Sequence, residues 1–170
     1  KAIEIVKYLN KNKKISKNVR YTKERNKLDT GGALVNSKKL MNEIFFVTFG
    51  DSYLNINYKK ILRFFKKKNY SSLITVIKKQ KVPYHKANIF ISKNKIISNK
   101  SGKNSNFIDY GLMIFKKQVF SNYSLKKIPL RKVIKELIDN KDICFVKINK
   151  KFNEIGSEYG IENFKNYINK

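Results

Sequence analysis

The sequence predicts an α/β fold, a largely buried sheet with helices covering both faces. Three observations predict it. Helical and strand periods alternate along the 170 residues. Several strand candidates are continuous apolar runs, as expected of strands buried on both sides. One hairpin pattern adds a locally mixed, antiparallel region.

The elements follow in order. Ile3, Val6 and Leu9 share one face and predict a short amphipathic helix, and Val19 and Tyr21 suit a short strand. Leu28-Asp29-Thr30-Gly31-Gly32-Ala33-Leu34 reads as a glycine turn opening a helix over 32–41. The apolar run Ile44-Phe45-Phe46-Val47-Thr48-Phe49 is a strand, closed by Gly50-Asp51-Ser52. Ile61, Leu62, Phe64 and Phe65 form one apolar stripe on a helix whose other face is lysine-rich. Residues 72–77 are the next strand, and 88–92 with 95–98 form a hairpin around Lys93-Asn94. Residues 107–115 are again a strand. Leu130, Val133, Ile134, Leu137 and Ile138 recur at helical spacing, strand 142–148 follows, and Ser157 caps a last helix carrying Ile161, Phe164 and Ile168. No repeat, linker or second domain is visible. The polar stretch 98–106 is the one long loop, of the kind that borders sites.

Composition bounds the function classes. Lys and Arg number 39 against 12 Asp and Glu, a formal charge of +27. Such a balance raises nucleic-acid or anionic-membrane binding. Yet only Arg20, Arg25, Arg63 and Arg131 are arginines, the preferred fork for phosphates and guanine edges. Lysine, asparagine and isoleucine make up nearly half the chain, the residues AT-rich codons encode, and the lysines are spread over every element. Genome bias with a solvated surface and a real polyanion surface both stand as readings. No apolar run approaches the ~18 residues of a membrane span, and no signal-peptide pattern opens the chain. The single cysteine, Cys144, excludes an internal disulfide, fits a reducing cytoplasm and reads as a buried structural thiol. His85 follows Pro83 in a loop with no evident partner.

Two segments carry chemistry. A phosphate needs backbone N–H groups at a helix start, and a divalent metal needs a carboxylate close by. The glycine turn at 28–34 and Asp51 at a strand end could supply both to one nucleotide. Each also has a plain structural reading, as a helix-start turn and a strand-end turn residue.

The order of motifs then becomes informative. Tyr21-Thr22-Lys23-Glu24 precedes Leu28-Asp29-Thr30-Gly31-Gly32-Ala33-Leu34 and Phe45-Phe46-Val47-Thr48-Phe49-Gly50-Asp51-Ser52-Tyr53-Leu54. Phe107-Ile108-Asp109-Tyr110-Gly111-Leu112 and Phe152-Asn153-Glu154-Ile155-Gly156-Ser157 come later. From about Tyr21 to the C-terminus this succession resembles the sugar-1-phosphate nucleotidyltransferases. The likeness is nearest to the branch of heptose- and mannose-1-phosphate guanylyltransferase-like members. The resemblance implies a Rossmann-like mixed sheet with helices on both faces. It also implies an enzyme that joins a sugar 1-phosphate to an NTP with Mg²⁺, releasing pyrophosphate, in the cytoplasm and for cell-surface glycan synthesis.

Residue by residue, the resemblance implies that Asp51 and Glu154 are Mg²⁺ ligands. For Glu154 a charge favoured by a helix N-terminus is the alternative. Gly31 and Gly32 would lie against the nucleotide. Glu24 would accept from a guanine edge, favouring GTP, with an ion pair to Lys23 or Arg25 as the alternative. Asp109 would accept from sugar hydroxyls and Tyr110 would pack on the sugar ring, although an alternating strand explains the same residues. Lys100 would pair with the sugar phosphate, and Lys103 is an equal candidate.

Two departures qualify the likeness. Asp29 stands where the family usually has glycine. The family also opens with a Gly-Gly-x-Gly-Thr-Arg-Leu type loop that does not occur here, and the chain begins at Lys1, not methionine. The expectation is a single, N-terminally incomplete catalytic domain over 1–170 that alone binds nucleotide poorly and turns over little. Open sheet edges would favour self-association. A basic nucleic-acid-binding protein and an inactive remnant of the fold remain the rival readings.

Overall fold

The computed structural model describes residues 2–169. A pair of helices opens the described chain, α1 (Ala2–Lys11) and α2 (Lys13–Ser16), followed after an irregular stretch by α3 (Asp29–Asn36). Then come β1 (Ile44–Thr48), β2 (Ser52–Tyr53), α4 (Tyr58–Lys66), β3 (Ser72–Lys78), β4 (Phe90–Ser92), β5 (Lys95–Ser98) and β6 (Phe107–Lys116). The remainder is α5 (Leu130–Asp139), β7 (Ile143–Lys147), β8 (Asn153–Glu154) and α6 (Glu158–Ile168).

The main sheet runs β1-β6-β3-β7. β6 lies antiparallel to both β1 and β3, whereas β3 and β7 are parallel. The central strands β3 and β6 are the longest apolar runs, which is why they are buried on both faces. Alternation divides β3 between two cores. Ile74 and Val76 join Met113, Phe115, Phe120, Val133 and Leu137 under α5. Leu73 and Ile77 join Ile61 and Phe65 of α4 on the other face, with Ile108 and Leu112. Helices therefore cover both faces, as the sequence predicts.

The ends of these elements follow local chemistry. Asn57 caps α4, its Oδ1 accepting from Lys60 N–H at 2.9 Å. Ser157 caps α6, its Oγ accepting from Gly160 N–H at 3.1 Å. The β4–β5 hairpin turns on Lys93 and Asn94, both in the left-handed region, as a two-residue type I′ turn requires.

Three expectations change. No strand forms at Val19–Tyr21; Val19 N–H instead donates to Ser16 O, continuing the turn that ends α2 with no neighbouring strand to pair with. The helix expected over 32–41 starts three residues earlier and gives way after Asn36 to a 3₁₀ turn, Lys38–Leu40. The two-residue ladder of β2 with β8, too short to show a period, was not foreseen. No helix of the described residues is long and apolar enough to cross a membrane.

Candidate active site

The β2–β8 ladder builds the first part of the site. Ser52 lies opposite Glu154, and Ile155 N–H donates to Asp51 O at 2.7 Å, closing the ladder. This antiparallel pairing carries two acidic residues, distant in sequence, to the same place. The point that a Cβ on Gly156 would occupy lies 3.2 Å from Asp51 Oδ2 and 3.3 Å from Glu154 Oε1. The carboxylates thus converge over a residue without a side chain.

Neither carboxylate has an ion-pair partner among the described residues. The ion pairs among the described residues join Lys117 to Glu43 and Lys135 to Asp139. Asp51 Oδ1 has only a long contact, 3.4 Å, with Ser52 Oγ. No group of three potential ligand side chains occurs among the described residues. Two free carboxylates at a Cβ-free position still fit a magnesium ion, which takes one or two carboxylates and completes its shell with water and substrate phosphates.

The second part is a cavity of about 390 Å³ between the start of α5 and the middle of β6, with Phe49, two residues before Asp51, in its lining. Its polar lining includes Asp29, Thr30, Asn88, Asn99, Asp109 and Arg131. Asn88 Oδ1 accepts from Asp109 N–H at 3.0 Å, and Asp109 Oδ1 accepts from Gly111 N–H at 2.9 Å. Burial pushes the Asp109 carboxyl up to about 6, opposed by the Gly111 hydrogen bond.

Gly111 links the two parts. The β3–β6 register shifts between Ile74 and Val76, and Gly111 takes φ +92° in this irregularity. A Cβ there would lie 3.2 Å from Phe49 Cδ2 and 3.9 Å from Ser52 Oγ. The turn carrying Asp51 therefore rests on the bulge that Asp109 enters, and Phe49 lines the cavity itself.

The other expected residues are placed differently. Gly31 and Gly32 are buried against the segment entering α5, not against open space. Gly32 N–H donates to Ile128 O at 3.0 Å; Cβ atoms would lie 2.7 Å from Ile128 O at Gly31 and 2.4 Å from Lys126 O at Gly32. Close backbone packing accounts for both glycines without a ligand. Asp29 has φ +61°, so the position does ask for the glycine-like conformation that the resemblance implies. Its Oδ1 accepts from Thr30 N–H at 2.7 Å, a local bond that helps aspartate tolerate the left-handed region.

Glu24 forms no ion pair with Lys23 or Arg25. Its Oε2 accepts from Leu28 N–H at 3.1 Å and closes the loop before α3. Tyr110 corrects the expectation that it packs on a sugar ring. Alternation turns it to the face opposite Asp109, where it is 1% exposed, edge-on to Phe152, with its hydroxyl near Lys151 O. Burial pushes its hydroxyl up to about 12. Lys100 and Lys103 are exposed in the 99–106 loop and do not line the cavity; Asn99 does, its Nδ2 donating to Arg131 O at 2.7 Å. Asn88, Asn99 and Arg131 escaped the sequence reading. Pro129 before an apolar helical period was the one signal marking a helix start near Arg131.

A family model described as nucleotidyl transferase matches residues 1–156 of this chain. The chain belongs to the nucleotidyl transferase family. Its fold is that of solved members. A crystal structure of HddC from Yersinia pseudotuberculosis complexed with GMP-PN superposes with a TM-score of 0.78 at 20% identity, covering 99% of this chain and 75% of that one. A Bacillus anthracis protein assigned as a glucose-1-phosphate thymidylyltransferase, in complex with a sucrose, gives 0.75 at 12% identity, with 96% and 70% covered. The inositol-1-phosphate CTP transferase from T. maritima gives 0.64 at 20% identity, with 81% and 60% covered. A comparison with curated proteins finds no match. The expected mixed α/β fold of this nucleotidyl transferase is thus established. The family match also reaches the opening helices, which the residue-level likeness did not.

Proposed function

We propose that this nucleotidyl transferase joins a sugar 1-phosphate to a nucleoside triphosphate, GTP for preference, giving an NDP-sugar and pyrophosphate. The observation that carries the reading is the convergence of Asp51 and Glu154 over Gly156, beside a cavity of about 390 Å³ with Asp109 in its wall. A phosphate oxygen of the sugar 1-phosphate attacks the α-phosphorus, the bond from that phosphorus to the α–β bridging oxygen breaks, and pyrophosphate leaves. In-line displacement of this kind needs positioning and charge neutralisation more than a protein nucleophile. The lone His85 and the half-buried Cys144 accordingly stand outside the site.

Asp51 and Glu154 would hold Mg²⁺, which supplies charge neutralisation at the phosphates. Asp109, ionised above pH ~6, accepts hydrogen bonds from sugar hydroxyls, and Asn88 fixes its main chain. Arg131 offers a fork for an anionic group in the same cavity, and Lys100 of the nearby loop assists at the sugar phosphate. GTP is favoured by the branch resemblance and by the guanylyl analogue carried by HddC. Cytoplasmic nucleotide-sugar supply for glycans is the matching setting, and self-association through the unpaired β1 edge of the main sheet fits the fold.

The test is pyrophosphate release with each NTP, a panel of sugar 1-phosphates and Mg²⁺, measured on the chain joined at its N-terminus to a segment carrying a Gly-Gly-x-Gly-Thr-Arg-Leu type loop. Sugar nucleotide must form, and Asp51→Ala in that extended chain must abolish it. Release unaffected by Asp51→Ala, or none with any pair although the extended chain is folded, refutes the reading.

A further inference from the structure

Two larger cavities, of about 1090 and 850 Å³, lie on the side of the molecule where the main sheet ends in β7. Phe64 of α4, Asn94 of the hairpin turn and Phe145 of β7 line both, so they form one continuous groove. Its floor includes Phe145 together with Val146 and Cys144. Phe145 packs against the α5 core, whereas Cys144 and Val146 pack against the α4 core. Opposite faces of a strand meet in one groove only along the strand's edge.

That edge is open. Among the described residues β7 pairs with β3 alone. Ile148 N–H donates inward to Val76 O at 2.8 Å, so alternation directs the main-chain groups of Ile143, Phe145 and Lys147 outward. An open edge is a template for another strand. At ~3.3 Å per residue, positions 143–148 offer about 20 Å of it.

The walls say what kind of strand fits. Lys60, Lys147 and Lys150 line one end, and Lys68, Lys95 and Lys141 the other. The one acidic lining residue, Asp139, is already paired with Lys135. A second copy would bring its own +27 to this rim and be repelled. Single-stranded nucleic acid needs bare aromatic platforms. Here Lys68 Nζ covers the Phe64 ring at 5.4 Å and Lys147 Nζ covers Phe145 at 5.7 Å. We propose that the groove receives an extended acidic segment of a partner protein, added to β7 as an extra strand. Main-chain bonds to the β7 edge would supply affinity, and the lysine rim selects for acidic side chains.

The experiment uses the full chain at 0.15 M NaCl with a fluorescein-labelled (Glu-Val)₄ peptide. Two further versions are N-methylated at every glutamate or at every valine, and a uridine 12-mer serves as the nucleic-acid probe. One N-methylated version must bind at least tenfold more weakly than the parent, since only one set of N–H groups faces β7. Hydrogen exchange of the Ile143, Phe145 and Lys147 amides must slow on adding the parent. Lys147→Glu with Lys150→Glu must weaken the parent about tenfold. Equal binding of all three peptides, no binding, tighter binding of the uridine 12-mer, or no protection at 143, 145 and 147 overturns the proposal. The exchange and N-methyl results use unaltered protein and stand if the charge variant fails to fold.

Discussion

Gly156→Ala isolates the carboxylate pair from the fold. The new methyl would meet Asp51 Oδ2 at 3.2 Å, Glu154 Oε1 at 3.3 Å and Asp51 Cβ at 3.4 Å, and no backbone within 4 Å is nearer than these. Gly156 is not among the positive-φ residues, so alanine is not strained there. Lost unfolded-state entropy stabilises alanine by about 0.4–1 kcal/mol, which offsets the tight contacts at least partly. The net change should stay within about 1 kcal/mol, or ~2–4 °C in Tm for a chain of this size. The site is affected differently. Both carboxylates must retreat by a few tenths of an ångström, and a methyl then occupies the space between them. Displacements of that sort at a metal site weaken binding by about 10–100-fold. The measurement pairs a thermal melt with Mn²⁺ titration followed by electron paramagnetic resonance, Mn²⁺ standing in for Mg²⁺. Gly50→Ala is the control, since a Cβ there meets nothing within 4 Å although it adjoins Asp51. An unchanged Mn²⁺ affinity in Gly156→Ala, with the melt intact, would falsify the metal assignment.

Three other outcomes follow from the same geometry. Gly31→Ala and Gly32→Ala press a methyl into the carbonyls of Ile128 and Lys126 and should each cost about 1–3 kcal/mol in urea denaturation, whatever ligand is present. Asp109, raised from 3.8 to about 6, is destabilising above pH ~6, and that cost fades as pH falls toward 4, because the native state then binds the extra proton. Asp109→Asn should therefore be more stable than the unaltered chain at pH 7 and level with it near pH 4, while sugar-phosphate binding is lost; a pH-independent difference contradicts the assigned cause. Tyr110→Phe should lower stability by less than about 1 kcal/mol and leave sugar-phosphate affinity unchanged, since its hydroxyl makes only a 3.4 Å contact with Lys151 O.

Long periodic elements were legible in the sequence because burial dictates their period. Residues 130–138 and 107–115 announce α5 and β6 by spacing alone, and both lie where expected. What escaped is what tertiary pairing decides. β2 and β8 are two residues each, below any periodic signal, yet their pairing sets Asp51 beside Glu154. Val19 and Tyr21 have strand-like composition, but a strand exists only with a neighbour. Gly31 and Gly32 were legible as positions that tolerate no side chain. Their cause was not, because the segment they accommodate, Lys126–Ile128, lies far along the chain.

The placement of Asp109 and Tyr110 shows how a strand can serve site and core at once. Adjacent on β6, they point to opposite faces, so the site side takes the carboxylate and the α4 core takes the aromatic ring. Two extra residues enter β6 at the irregularity, so the alternation runs on through it, with Leu112 and Ile114 in the α4 core and Met113 and Phe115 in the α5 core. Within it Gly111 adopts φ +92°, its N–H turns back to Asp109 Oδ1, and Thr75 Oγ1 donates to Leu112 O at 2.7 Å to satisfy the disturbed ladder. The absent Cβ at Gly111 is what lets Phe49, and with it the turn carrying Asp51, settle against β6. Gly111→Ala therefore acts on both parts of the site together: the strained φ and the 3.2 Å contact with Phe49 push the Asp51 turn away, so Mn²⁺ affinity and sugar-phosphate affinity should fall in step. If only one of them falls, the bulge does not couple the carboxylate pair to the cavity.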